Sequence, residues 1–135
     1  MSEIRILNPD TLGQPLGQYS QITRVKASEF LFIAGQVATD KTGNPVGLDD
    51  FSRQCEQVFA NIEAALASQA ATFANVVEFT TYLVHSQDIP QFMQFRRREF
   101  PRFFPSGKYP PNTLLIVDRL VQEPFLIEVQ TVAAL

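Results

Sequence analysis

The chain has no tryptophan, one cysteine and one histidine in 135 residues, and only 19% of its residues are charged. A single cysteine, Cys55, cannot close an internal disulfide. With His85 as the sole histidine, a His/Cys metal site of the usual composition lacks ligands, and no metal is expected. Basic residues are also short, 11 against 14 acidic ones, for a net charge of −3. A general electrostatic footprint for nucleic acid is therefore missing, which makes such a partner unexpected. No stretch approaches the roughly 18 apolar residues of a membrane span. Residues Met1 to Arg5 hold no apolar signal core, so a cytoplasmic protein with no membrane partner is the expectation. Gly-rich phosphate loops, a Gly-x-Ser-x-Gly elbow and any other cofactor signature are absent. Repeats and long Gly/Ser/Pro linkers are missing too, which leaves a single domain over 1–135.

What the chain does have is phenylalanine, 12 residues of it, within a hydrophobic share of 45%. Ile22 to Lys26 alternates, breaks at Ala27-Ser28-Glu29, and resumes as the apolar run Phe30 to Ala34. Two strands joined by a short turn follow from that pattern. Asp40 to Pro45 is dense in turn formers. A helix is predicted to start at Asp49 or Asp50, whose side chains can accept from the first free N–H groups. Phe51, Cys55, Val58, Ile62, Ala65 and Leu66 recur at spacings of three and four and give it one buried stripe. Val76 to Val84 reads as a buried strand. A second helix is predicted from about Pro90 towards Phe100, with Pro101 near its end. Strands at about 113–118 and 125–133 complete an α+β domain, a mixed sheet with two helices on one face. Nothing remains to cover the other face, which points to oligomerisation.

Few residues stand out for chemistry. Glu128 interrupts the apolar run Leu126 to Ala133. It is either an outward side chain on a half-exposed strand or a pocket carboxylate able to hold a water. Tyr19 and Ser20 lie in a Gly- and Pro-containing loop leading into the first hairpin, where hydroxyls serve turns or ligands. Gly35 ends an apolar strand, as a turn or bulge residue or as a place where backbone comes close to a ligand. Arg96, Arg97, Arg98 and Arg102 form the one dense basic cluster, spread around a helix with Glu99 beside them. Cys55 falls on the core stripe and reads as a small buried hydrophobe.

Gly17-x-Tyr19-Ser20, Gly35-Gln36, Gln54, Asn61-Ile62, Val76-Val77, Tyr82-Leu83, Pro110-Pro111 and Ile127-Glu128-Val129 occur in an order that resembles the YjgF/RidA family from Asn8 to Ala133. The resemblance implies a chorismate-mutase-like fold and a homotrimer with small-molecule pockets between subunits. It also implies enamine and imine hydrolysis, in which an arginine grips the substrate carboxylate and a glutamate positions water. Carried over by position, the glutamate is Glu128, the tyrosine Tyr19 and the strand-end glycine Gly35. The arginine position holds Asn112, and Leu114 of the same segment counts among the pocket residues. Gln18 and Ala34 replace the proline and serine common in two of the motifs.

A guanidinium binds a carboxylate through two charged hydrogen bonds that an amide cannot copy. A charged hydrogen bond contributes about 1.5–3 kcal/mol against about 0.5–1.5 for a neutral one, so Asn112 predicts about tenfold weaker hold on a small carboxylate. The expectation is a small-molecule-binding protein with weak imine deaminase activity. The alternative is a deaminase in which Arg96, lying where relatives show an asparagine, has exchanged roles with Asn112. A weaker alternative is an RNA-binding ribonuclease or translation inhibitor resting on the arginine cluster.

Overall fold

The computed structural model describes residues 2–135. The strands are β1 (Glu3–Leu7), β2 (Ile22–Lys26), β3 (Phe30–Gln36), β4 (Val76–Leu83), β5 (Asn112–Ile116) and β6 (Ile127–Ala134); the helices are α1 (Phe51–Ala67) and α2 (Ile89–Phe103). Four strands form a mixed sheet in the order β3-β6-β4-β5, with β6 antiparallel to both neighbours and β4 parallel to β5. A parallel pair needs a crossover, and α2 supplies it. The remaining two strands, β1 and β2, pair antiparallel as a separate ribbon. Thr23 of that ribbon donates to the Val77 carbonyl at 2.9 Å, which ties it to β4.

Asp50 caps α1 by accepting from the Arg53 N–H at 3.0 Å. Phe51, Cys55, Val58, Ile62 and Leu66 are buried as their spacing predicts. Phe59, outside that stripe, is buried as well and sits at the centre of the phenylalanine core. Its ring centre lies 5.2 Å from that of Phe95, 5.5 Å from Phe100 and 5.7 Å from Phe79 and Phe103. Helix α2 runs on past Pro101 to Phe103, later than its predicted end, because Phe103 stacks on Phe73 at 4.3 Å and holds the last turn. Both helices cover the sheet face that carries Phe79, Thr81, Leu83, Ile127, Val129 and Thr131, all buried.

Two further differences from the sequence reading concern the first strands. Glu3–Leu7 is a strand, missed although Ile4 and Ile6 alternate with exposed neighbours. The turn at 27–29 does not close a hydrogen-bonded hairpin, since β1 takes β2 and β6 takes β3.

The opposite sheet face carries Glu78, Thr80, Tyr82, Glu128, Gln130 and Val132 with Phe30 and Phe32 of β3. Phe32 is 80% exposed. A hollow of about 550 Å³ opens on this face, lined by Ile22, Val25, Phe32, Val77 and Val132 among others.

Candidate functional site

Strand alternation turns Ile127 and Val129 into the core and leaves Glu128 on the open face, directly across from Tyr82 in the ladder. Glu128 lies over Gly35. The ladder between β3 and β6 shifts register between Ile33 and Gln36, a bulge that includes Gly35. A Cβ built on Gly35 would sit 2.7 Å from Glu128 Cδ and 2.8 Å from its Cγ. Glycine leaves room for the Glu128 side chain, which approaches the backbone here. Glu128 is half-buried, and among the described residues its carboxylate has neither a hydrogen-bond nor an ion-pair partner. It faces a shallow depression of about 480 Å³ whose lining includes Gly35, Tyr82, Arg119, Val121 and Gln130. Glu128 thus points away from the core and lines a concavity.

Tyr19 and Arg96 form a second cluster. Arg96 on α2 is 3% exposed. Its Nη1 donates to the Gln18 carbonyl at 3.4 Å and its Nη2 contacts the Met93 sulfur at 3.0 Å, while its buried Nε has no partner. The guanidinium lies 4.8 Å from the Phe92 ring centre and 5.9 Å from that of Tyr19, where cation–π attraction replaces part of the lost hydration. Burial pushes its pKa down to about 10, with Tyr19 acting the other way. It still carries its charge at neutral pH, without a carboxylate to balance it. Gly17 lets the loop lie close above, since a Cβ there would come within 2.6 Å of Met93 Cε and 3.4 Å of Arg96 Nη2. The Tyr19 hydroxyl accepts from the Leu16 N–H at 3.1 Å.

Asn112 opens β5 opposite Phe79, and its Oδ1 accepts from the buried Thr81 hydroxyl at 2.7 Å. Leu114 pairs with Thr81 and packs against the core. Within one chain the predicted residues therefore fall into separate groups: Gly35 with Glu128, Tyr19 with Arg96, and Asn112 with Leu114 on β5. Neither Arg96 nor Asn112 lines the Glu128 depression, and no hydrogen bond joins them to Glu128 among the described residues.

The arginine cluster divides in the same way. Arg97, Arg98 and Arg102 are exposed, and Glu99 pairs with Arg98 at 3.5 Å and Arg102 at 3.3 Å. Cys55 is fully buried, and burial drives its thiol pKa upward. One residue the sequence reading missed belongs to the Glu128 depression. Arg119, in the loop after β5, lines it; an isolated loop arginine carries no local pattern that marks it.

Comparison with known proteins covers nearly the whole chain. The family model described as Endoribonuclease L-PSP matches residues 11–135. A RutC family protein of Pyrococcus horikoshii is 32% identical over 128 residues, 95% of each chain. A 2-iminobutanoate/2-iminopropanoate deaminase of Dermatophagoides farinae is 23% identical over 127 residues, 90% of this chain and 98% of its own. Among solved structures, YyfB of Yersinia pestis, a Rid family protein of unknown function, superposes with a TM-score of 0.86 at 31% identity over 98% of both chains. In fold and in sequence, the chain belongs to the YjgF/RidA family.

Proposed function

We propose that the protein binds a small polar metabolite in a pocket completed between subunits of a homotrimer, and that its standard imine deaminase activity is weak. The observation that carries this reading is the contrast between Glu128 and Asn112. The Glu128 carboxylate is unpaired and faces an open depression. Asn112, where the family resemblance places the arginine, is an amide already engaged by Thr81. The carboxylate is retained while the guanidinium is missing from the β5 position from which the family's arginine would hold a substrate carboxylate. A neighbouring subunit would bring the Tyr19, Arg96, Asn112 and Leu114 groups to the Glu128 side, and the exposed Phe30 and Phe32 on the uncovered sheet face support that assembly.

The test is to generate 2-aminoacrylate with a dehydratase and follow its conversion to pyruvate. The expected rate is at least tenfold below that of an arginine-bearing relative, in line with the missing fork. A comparable rate overturns the reading.

A second reading has one observation in its favour. Arg96 carries an unbalanced positive charge beside Tyr19, so it could serve as the clamp of a deaminase of the kind named in the mite relative. Loss of activity in Arg96→Ala with activity kept in Asn112→Ala would establish it. The ribonuclease reading is weaker, because Arg96 is buried and Glu99 partly offsets Arg98 and Arg102, leaving Arg97 as the exposed member of the cluster with no ion pair among the described residues.

A further inference from the structure

We infer that Arg119 supplies anion recognition in the Glu128 depression, and that the ligand carries a carboxylate at one end and an N–H donor at the other. The inference rests on the small-molecule reading of this same site and specifies what it recognises.

Arg119 and Glu128 line one depression with Tyr82 and Gly35. An arginine and a carboxylate in one concavity would ordinarily neutralise each other, yet these two form no ion pair. Arg119 is instead fixed from its own loop. Its Nε donates to the Leu120 carbonyl at 3.0 Å and its Nη2 to the Val121 carbonyl at 3.2 Å. Its Nη1 donates to Glu123 Oε1 at 2.8 Å. A guanidinium has five N–H donors, so two remain, one on each terminal nitrogen, to offer an anion.

Glu123 marks the guanidinium as competent to hold a carboxylate, and holds its own place weakly. Its side chain is 78% exposed, and exposed ion pairs contribute little. A ligand carboxylate can displace it. Glu128 supplies the complementary end. An ionised carboxylate only accepts, so it selects an N–H or ammonium group and repels a second anion. Together the two charges select for a molecule with separated carboxylate and nitrogen, and against monofunctional acids or amines.

The experiment uses the intact assembled protein and ligand-observed NMR. The probes are glycine, β-alanine and 4-aminobutanoate, which differ in the separation of their two ends, with propionate and β-alanine methyl ester as controls. At least one amino acid is expected to bind in the millimolar range, and the controls about tenfold more weakly or not at all. Arg119→Gln should weaken the amino acid at least tenfold, whereas Arg119→Lys should keep part of the affinity. Glu123→Gln should tighten binding, because it removes the competing carboxylate. Glu128→Gln should abolish the preference over propionate. Wild-type affinity in Arg119→Gln would overturn the clamp and leave the small-molecule reading standing. Weaker binding in Glu123→Gln would mark the ion pair as a loop brace and overturn the inference too. No binding of any probe to the wild type would count against both.

Discussion

Replacing Gly35 by alanine puts a methyl group where the Glu128 side chain lies, 2.7 Å from Cδ and 2.8 Å from Cγ. Because the obstacle is a flexible side chain, Glu128 can swing aside, and the expected loss is about 1–2 kcal/mol, the lower range for overpacking. The carboxylate would then leave the depression, and ligand binding should be lost. Urea denaturation of Gly35→Ala, Glu128→Ala and the double variant checks this. Most of the stability lost in Gly35→Ala should return in the double variant, since the two positions are coupled by contact. Additive losses would show that the glycine serves the β3 bulge alone. At this scale the sequence was legible where a residue breaks a local pattern. Glu128 interrupts an apolar strand and Gly35 ends one, so both stood out. Arg119 breaks nothing, and it joins the depression only because the loop between β5 and β6 folds back over the sheet. Arg96 stood out as part of a charged cluster, but its burial depends on a loop from the other end of the chain passing over it.

Gln54 is the clearest case of one side chain joining separate elements. Fully buried on α1, its amide nitrogen donates to the Gly47 carbonyl at 3.1 Å and the Pro124 carbonyl at 2.9 Å. Its oxygen accepts from the Leu126 N–H at 2.8 Å, just before β6. Gln54→Leu would leave the Leu126 N–H and the Pro124 carbonyl without partners, while the Gly47 carbonyl keeps the Asp50 N–H at 3.0 Å. At about 1–3 kcal/mol for each group that stays dry, a loss of about 3 kcal/mol is expected. The Leu126 amide should also exchange faster with solvent. Stability within 1 kcal/mol of wild type would mean that water takes over these bonds, a threshold set by the size of one ordinary hydrogen bond. Element identities were mostly readable, because apolar spacing and the Asp50 cap are local signals. Pairing was not. The first strand needs β2 as partner across a long loop, and only the folded chain shows that β3 turns to β6 instead. The continuation of α2 past Pro101 has the same origin, a tertiary stack between Phe103 and Phe73 outweighing a local stop signal.

For the molecule as a whole, the open sheet face sets the expectation. Phe32, 80% exposed beside a large hollow of mixed lining, is the apolar side chain that the proposed trimer would cover. Sedimentation equilibrium is expected to give about three times the 15.2 kDa chain mass. Phe32→Glu should shift that towards monomer, because a charge would be buried without a counterpart. A wild-type monomer at micromolar concentration would remove the subunit-interface pocket. The absence of tryptophan also decides how the protein emits light. With no indole to accept excitation energy, ultraviolet fluorescence comes from just three phenols, Tyr19, Tyr82 and Tyr109. Tyr109 is set among the phenylalanine rings, 6.0 Å from those of Phe100 and Phe104, and Tyr19 stands beside the Arg96 charge. Tyr82 alone of the three borders the Glu128 depression. A molecule settling there should change the emission of one phenol in three, and Tyr82→Phe should silence that response while leaving the other two intact, giving the site a built-in optical reporter.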